Sequence, residues 1–298
     1  MIDYAKIFKQ ALHLLAGNKF FWGLGLFLAW GSVVNQLSYQ LDWNDSASHL
    51  SAPQDNFIWL ALAGIVVIVI LVMMFFRCRT AIILATKARM ENKPTGFGQS
   101  FRQARVFYDR VFGVAFYTML ILLAAGIILF GPVLYLHSVN LSGRAAILGI
   151  LALVIVVPLA IIASLINNLA PMFIVFYNMK IREAVSITFD MIKKSWPVLL
   201  VFSIWLAIIA TAAEYILVLI WDSWVVFSRP LFYNAGGFHL SIVSAALGAI
   251  MIIALIILTG AIAAYQQICW TLLFSEMVRP EKIEEKEVLP ASEAVQGG

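Results

Sequence analysis

Apolar stretches nearly free of charge recur along the chain, at Phe20–Leu37, Phe57–Phe76, Val111–Leu136, Ala145–Tyr177, Ser195–Ile220 and Leu240–Ser275. About 20 apolar residues suffice to cross a hydrocarbon core of about 30 Å. The pattern therefore predicts an all-α, polytopic transmembrane helical bundle with six spans. The first stretch is short and carries Gly23, Gly25 and Gly31, but Phe20, Phe21, Trp22 and Trp30 strengthen it as a membrane element. The last would run about 54 Å at about 1.5 Å per residue, so the returning helices are expected to project beyond the bilayer or to break there.

Three amphipathic stretches precede the odd-numbered spans. In the first, Asp3, Lys6, Lys9 and His13 oppose Tyr4, Phe8, Ala11 and Leu15. In the second, Gln99, Arg102, Gln103 and Asp109 oppose Phe97, Phe101, Ala104 and Tyr108. In the third, Arg182, Ser186, Asp190 and Lys193 oppose Ile181, Val185, Phe189 and Ile192. Each has the period of a helix with one wet face. Each leads into a basic residue and an aromatic that opens a span: Lys19 before Phe21, Arg110 before Phe112, Lys194 before Trp196. The even spans end alike too, in Arg77-Cys78-Arg79, Asn167-Asn168 and Gln266-Gln267. The chain thus reads as three units, residues 1–92, 93–178 and 179–279, each an interfacial helix followed by a transmembrane hairpin. Residues 280–298, rich in Glu and poor in apolar residues, read as a disordered cytoplasmic tail.

Composition and charge sharpen this picture. The 298 residues are 62% hydrophobic and 12% charged, with a mean hydropathy of +0.93. Soluble domains run nearer about 45–50% apolar and about 25% charged. All but Arg144 and Arg229 of the 20 Lys and Arg residues fall on one side of the six-span arrangement. Basic loops stay inside, so both termini are expected in the cytoplasm, with the protein in the cell (inner or plasma) membrane. No basic tract interleaved with aromatics points to nucleic acid. No cleavable signal precedes Phe20. Cys78 and Cys269 lie near the cytoplasmic ends of spans and read as buried thiols.

Candidate chemistry is sparse. Zinc-protease, phosphate-loop and serine-hydrolase signatures and Cys/His metal spacings do not occur, so no catalytic residue, metal ligand or cofactor is assigned. His13, His49, His137 and His239 are scattered and read as surface residues. Glu214 is the one acid inside a span, a functional candidate by default; near the outer interface it could equally pair with Arg144 or Arg229. The recurring polar residues Arg77, Arg79, Asn167, Asn168, Gln266 and Gln267 are expected at one depth near the inner leaflet. They serve there either as interhelical hydrogen bonds or as a vestibule for a lipid headgroup or anion, loosened by Pro171.

The run Asn18-Lys19-Phe20-Phe21-Trp22-Gly23-Leu24 after an amphipathic helix, together with the repeated paired spans, resembles a set of uncharacterised six-span bacterial and archaeal membrane proteins. These are akin to the membrane domain of some glycerophosphoryl diester phosphodiesterases. The resemblance covers about residues 1–279 and implies a single integral membrane domain. The phosphodiesterase catalytic domain has no counterpart in these residues, so its hydrolase activity is not implied. The reading that follows is a non-enzymatic membrane protein that engages membrane lipids, a membrane-protein partner or a second copy of the chain. A small-solute transporter using the inner-leaflet polar cluster is the alternative.

Overall fold

The computed structural model describes residues 2–29, 54–233 and 238–278, and they form eight helices. In chain order these are α1 (Tyr4–Gly17), α2 (Phe20–Leu28), α3 (Gln54–Met90), α4 (Phe97–Ala104), α5 (Tyr108–Ser138), α6 (Ser142–Tyr177), α7 (Ile181–Tyr233) and α8 (Phe238–Met277). The chain is an all-α bundle. Five of the helices are long and apolar enough to cross a membrane, and a sixth span results if the bent pair α1–α2 counts as one. The first expected span is described only as far as Ala29. The expected outer segment Asp42 to Asn56 lies largely outside the described residues, as does the acidic tail.

Each long helix after the first hairpin is apolar around most of its circumference, as a lipid-immersed helix must be. The two short amphipathic helices and the first turns of α7 are different. In α1, Asp3 caps the first turn by accepting from the Lys6 backbone N–H at 3.1 Å. Ile7, Ala11 and Leu15 are buried, while Lys6, Lys9 and His13 face outward. In α4 and the turn after it, Ser100 and Ala104 are buried and Gln99, Arg102 and Gln103 are exposed. At the start of α7 the buried line is Ala184, Thr188 and Ile192, opposite exposed Arg182, Asp190 and Lys193. The expected wet faces are therefore the exposed ones.

Each amphipathic helix then changes direction into a long apolar one. α1 and α2 meet at 108° around Asn18 and Lys19. α4 and α5 are joined by the turn Arg105–Phe107, where successive N–H groups donate three residues back. In α7 the change is a kink at Ser195, with φ −125° and ψ 24°. Pro197 supplies the cause: its ring crowds the carbonyl four residues back, at Lys193, and it has no N–H to offer.

The core sits at the end of the bundle where the amphipathic helices lie. Cys78, Ala81, Ile82 and Ile83 of α3, Leu169 to Ile174 of α6, and Ile268 to Phe274 of α8 are buried there around Phe202 of α7 and Leu24 of α2. Phe202 stacks on Phe8 at 5.4 Å and meets Trp270 edge-on at 5.2 Å. Both cysteines are buried free thiols, as expected. Toward the other end Ile65 to Ile70 on α3 and most of Ile147 to Val157 on α6 are exposed. The returning helices α3 and α6, of 37 and 36 residues, run unbroken past a bilayer's thickness rather than breaking there.

Candidate functional site

Arg79 is the point where the three returning helices meet. It lies on α3, is 5% exposed, and reaches toward both α6 and α8. Its Nε donates to Gln267 Oε1 at 3.1 Å, and its Nη2 donates to Asn168 Oδ1 at 2.9 Å and to the Asn167 carbonyl at 2.7 Å. Among the described residues no carboxylate pairs with it. A buried guanidinium is thus held by three neutral oxygens, two from α6 and one from α8.

The availability of the Asn167 carbonyl follows from the sequence. In a helix it would accept from the N–H of residue 171, which is Pro171 and has none. Proline therefore leaves an acceptor free inside α6, and Arg79 fills it. Pro171 is itself buried in an unbroken stretch of α6. The expected loosening into a vestibule is not what it does; it supplies an acceptor in a closed core. Two polar atoms of this cluster, Asn167 Oδ1 and Gln267 Nε2, are buried without a hydrogen-bond partner.

The other expected members stand apart. Arg77 faces away from the core: its Nε donates to the Phe101 carbonyl at 3.3 Å, and its guanidinium carbon lies 4.1 Å over the Phe101 ring. Gln266 is half-buried and forms no side-chain hydrogen bond among the described residues. Glu214 is half-buried on α7 and makes no ion pair among the described residues, so the expected pairing with Arg144 is absent, and Arg144 is exposed. The Arg229 side chain lies outside the described residues. His13 and His137 are exposed at opposite ends of the bundle, and the side chains of His49 and His239 are not among those described.

Three other cations tie the basic end together. Lys87 Nζ donates to the Phe176 carbonyl at 3.2 Å over that residue's ring, and Arg110 donates to the carbonyls of Asn178 and Met179 at 3.1 and 3.2 Å. Arg89 Nη2 donates to the Thr95 carbonyl at 3.2 Å and so pins the α3–α4 loop. The Lys87 and Arg110 contacts close the C-terminal end of α6, where the last carbonyls carry partial negative charge.

Two cavities open at this end. One, of about 540 Å³, lies among Ile7, Gln10, Lys87, Glu91, Phe176 and Glu276. The other, of about 500 Å³, runs along α3 beside the α4–α5 turn, from Ile70, Met73 and Met74 to Arg77, Arg105, Tyr108 and Asp109. Sequence reasoning did not single out Arg105. Its signal was weak, since a basic residue in a loop is common and its nearness to Arg77 depends on how α4 folds back.

Fold and site together define a multi-pass α-helical membrane protein with a closed, polar-pinned core at its basic end. No protein-family model matches the chain, and neither the curated proteins nor the solved structures contain a match.

Proposed function

We propose that this is a non-enzymatic integral membrane protein that engages membrane lipids through its basic end, with both termini in the cytoplasm. The observation that carries it is the closure of the basic half of the bundle. Arg79, Asn168 and Gln267 are the polar groups a transport path or reaction would use, and they are spent on one another. Around them, the exposed cations Lys6, Lys9, Arg102, Arg182 and Lys193 share three helical surfaces with aromatics such as Phe97 and Phe189, 42% and 39% exposed. Basic amphipathic helices of this kind lie in a lipid interface and favour anionic headgroups.

A threefold internal repeat is part of the proposal. It is supported by the threefold succession of short amphipathic helix, change of direction and apolar helix, and by the convergence of one polar residue from each of α3, α6 and α8. Kinship with the membrane domains named above stays within the same proposal, without the hydrolase activity.

The transport reading rests on Asn167 Oδ1 and Gln267 Nε2, two buried atoms that a passing solute could meet. Reconstitution separates the readings. Purified protein in vesicles of phosphatidylglycerol and phosphatidylcholine should melt at higher temperature than in phosphatidylcholine alone, and added salt should shrink the difference. Efflux of trapped phosphate, chloride and small organic anions should match that of protein-free vesicles, and no headgroup should be released. Protein-dependent efflux would favour transport, and headgroup release would favour an enzyme.

A further inference from the structure

We propose that the groove along α3 beside the α4–α5 turn binds one phospholipid, with the phosphodiester between Arg77 and Arg105 and an acyl chain along Ile70, Met73 and Met74. The proposal rests on the lipid-engaging reading and gives it a site and a ligand class. The groove, about 500 Å³, is graded along its length. Ile70, Met73, Met74 and Arg77 are spaced at three, four and seven residues, which makes one stripe on α3. That stripe is apolar for two turns and ends in a guanidinium at the basic end of the bundle. A lipid has the same grading, hydrocarbon first and phosphate at the interface.

Arg77 is held in place for this. Stacking on Phe101 and donation from Nε to its carbonyl fix the guanidinium plane, and the Nη groups have no protein acceptor among the described residues. An immobilised guanidinium loses less entropy on taking a phosphate and can hold two of its oxygens. Arg105 is exposed on the far wall and likewise makes no side-chain bond among the described residues. Asp109, one turn beyond Arg105, forms no ion pair with it or with Arg110. Two arginines and one aspartate leave the groove with one net positive charge, which suits the single negative charge of a phosphodiester. Asp109 repels a second negative charge. It also offers an acceptor, beside the Tyr108 hydroxyl, to a headgroup that donates hydrogen bonds. The ligand class is therefore a glycerophospholipid with an N–H or O–H headgroup, such as phosphatidylethanolamine or phosphatidylglycerol, in preference to phosphatidylcholine.

The test is native mass spectrometry of the full chain in detergent supplied with equal amounts of these three lipids. The unaltered protein should retain one ethanolamine or glycerol lipid over the choline lipid. Arg77→Gln with Arg105→Gln should lower that retention at least about tenfold, the scale of even one lost charge-assisted hydrogen bond. Lys19→Gln with Lys194→Gln, two exposed cations that do not line the groove, should leave it unchanged. Asp109→Asn should narrow the discrimination against phosphatidylcholine. Arg105→Gln alone, at an exposed residue with no side-chain bond, guards against misfolding in the double variant. Equal retention by the unaltered protein and the groove variants overturns the site while leaving the vesicle melting and efflux results to judge the broader reading. Equal losses in groove and control pairs overturn it too, since diffuse surface charge then accounts for the binding.

Discussion

Arg79 occupies a position where a charge is costly, and three oxygens from α6 and α8 offset that cost. Buried ion pairs and charged networks stabilise little against an apolar substitute, but removing one partner is expensive because it strands the other. Gln267→Leu should therefore destabilise the protein by about 1.5–3 kcal/mol, measured by unfolding in mixed detergent. Arg79→Met together with Gln267→Leu should cost less than the two single changes added. Strict additivity would mean that the two side chains do not depend on each other. A second residue-scale test concerns α4. Phe101 stacks on Phe97 at 5.8 Å and lies under Arg77, whereas Gln99 is exposed. Phe101→Asp should lower the melting temperature far more than Gln99→Asp, and equal effects would mean that α4 is turned the other way.

Why only some of the recurring polar residues converge is also a matter of residue geometry. Neighbours in a helix point about 100° apart, so of Asn167/Asn168 and Gln266/Gln267 only one side chain per pair reaches Arg79. Arg77 and Arg79, two positions apart, point about 200° apart, one outward and one inward. The recurrence was visible in the sequence and so was the common depth. Which member of each pair turned inward was not, because that depends on the rotation of each helix. The service that Pro171 performs was hidden for a related reason: a freed carbonyl has meaning only once a donor is known to face it.

At the scale of elements, helix backbones come into direct contact where α2 crosses α8. A methyl group on Gly25 would overlap the Gly260 carbonyl, and one on Gly260 would lie 2.8 Å from the Leu26 backbone nitrogen. Small residues let helix backbones touch, and apolar helices in lipid rely on such packing. Gly25→Ala should thus lower the melting temperature by several degrees. Gly64→Ala on α3, where nothing lies within 4 Å of the new methyl, should be neutral or stabilising by up to about 1 kcal/mol. If both changes behave alike, the α2–α8 joint does not hold the bundle together. The amphipathic helices were legible from their periodicity; the kink at Ser195 was not singled out, although Pro197 carried its signal. The Gly25–Gly260 joint was not, since a glycine in an apolar run gives no sign of what it meets.

For the whole molecule, the pattern of apolar runs gave the all-α membrane architecture, and the Lys/Arg distribution gave a basic end that the fold does gather in one place: Lys87 meets the end of α6, and Arg110 meets the loop after it. The central claim is that this end faces the cytoplasm in a multi-pass protein. It is tested most directly by placing single cysteines at two exposed positions, Gln99 on α4 and Ser142 at the start of α6, in intact cells. The native Cys78 and Cys269 are buried and give a low background. An impermeant thiol reagent added outside should label Ser142→Cys, and should label Gln99→Cys only after the membrane is opened. Labelling of Gln99→Cys in unbroken cells, with Ser142→Cys protected, would contradict the account.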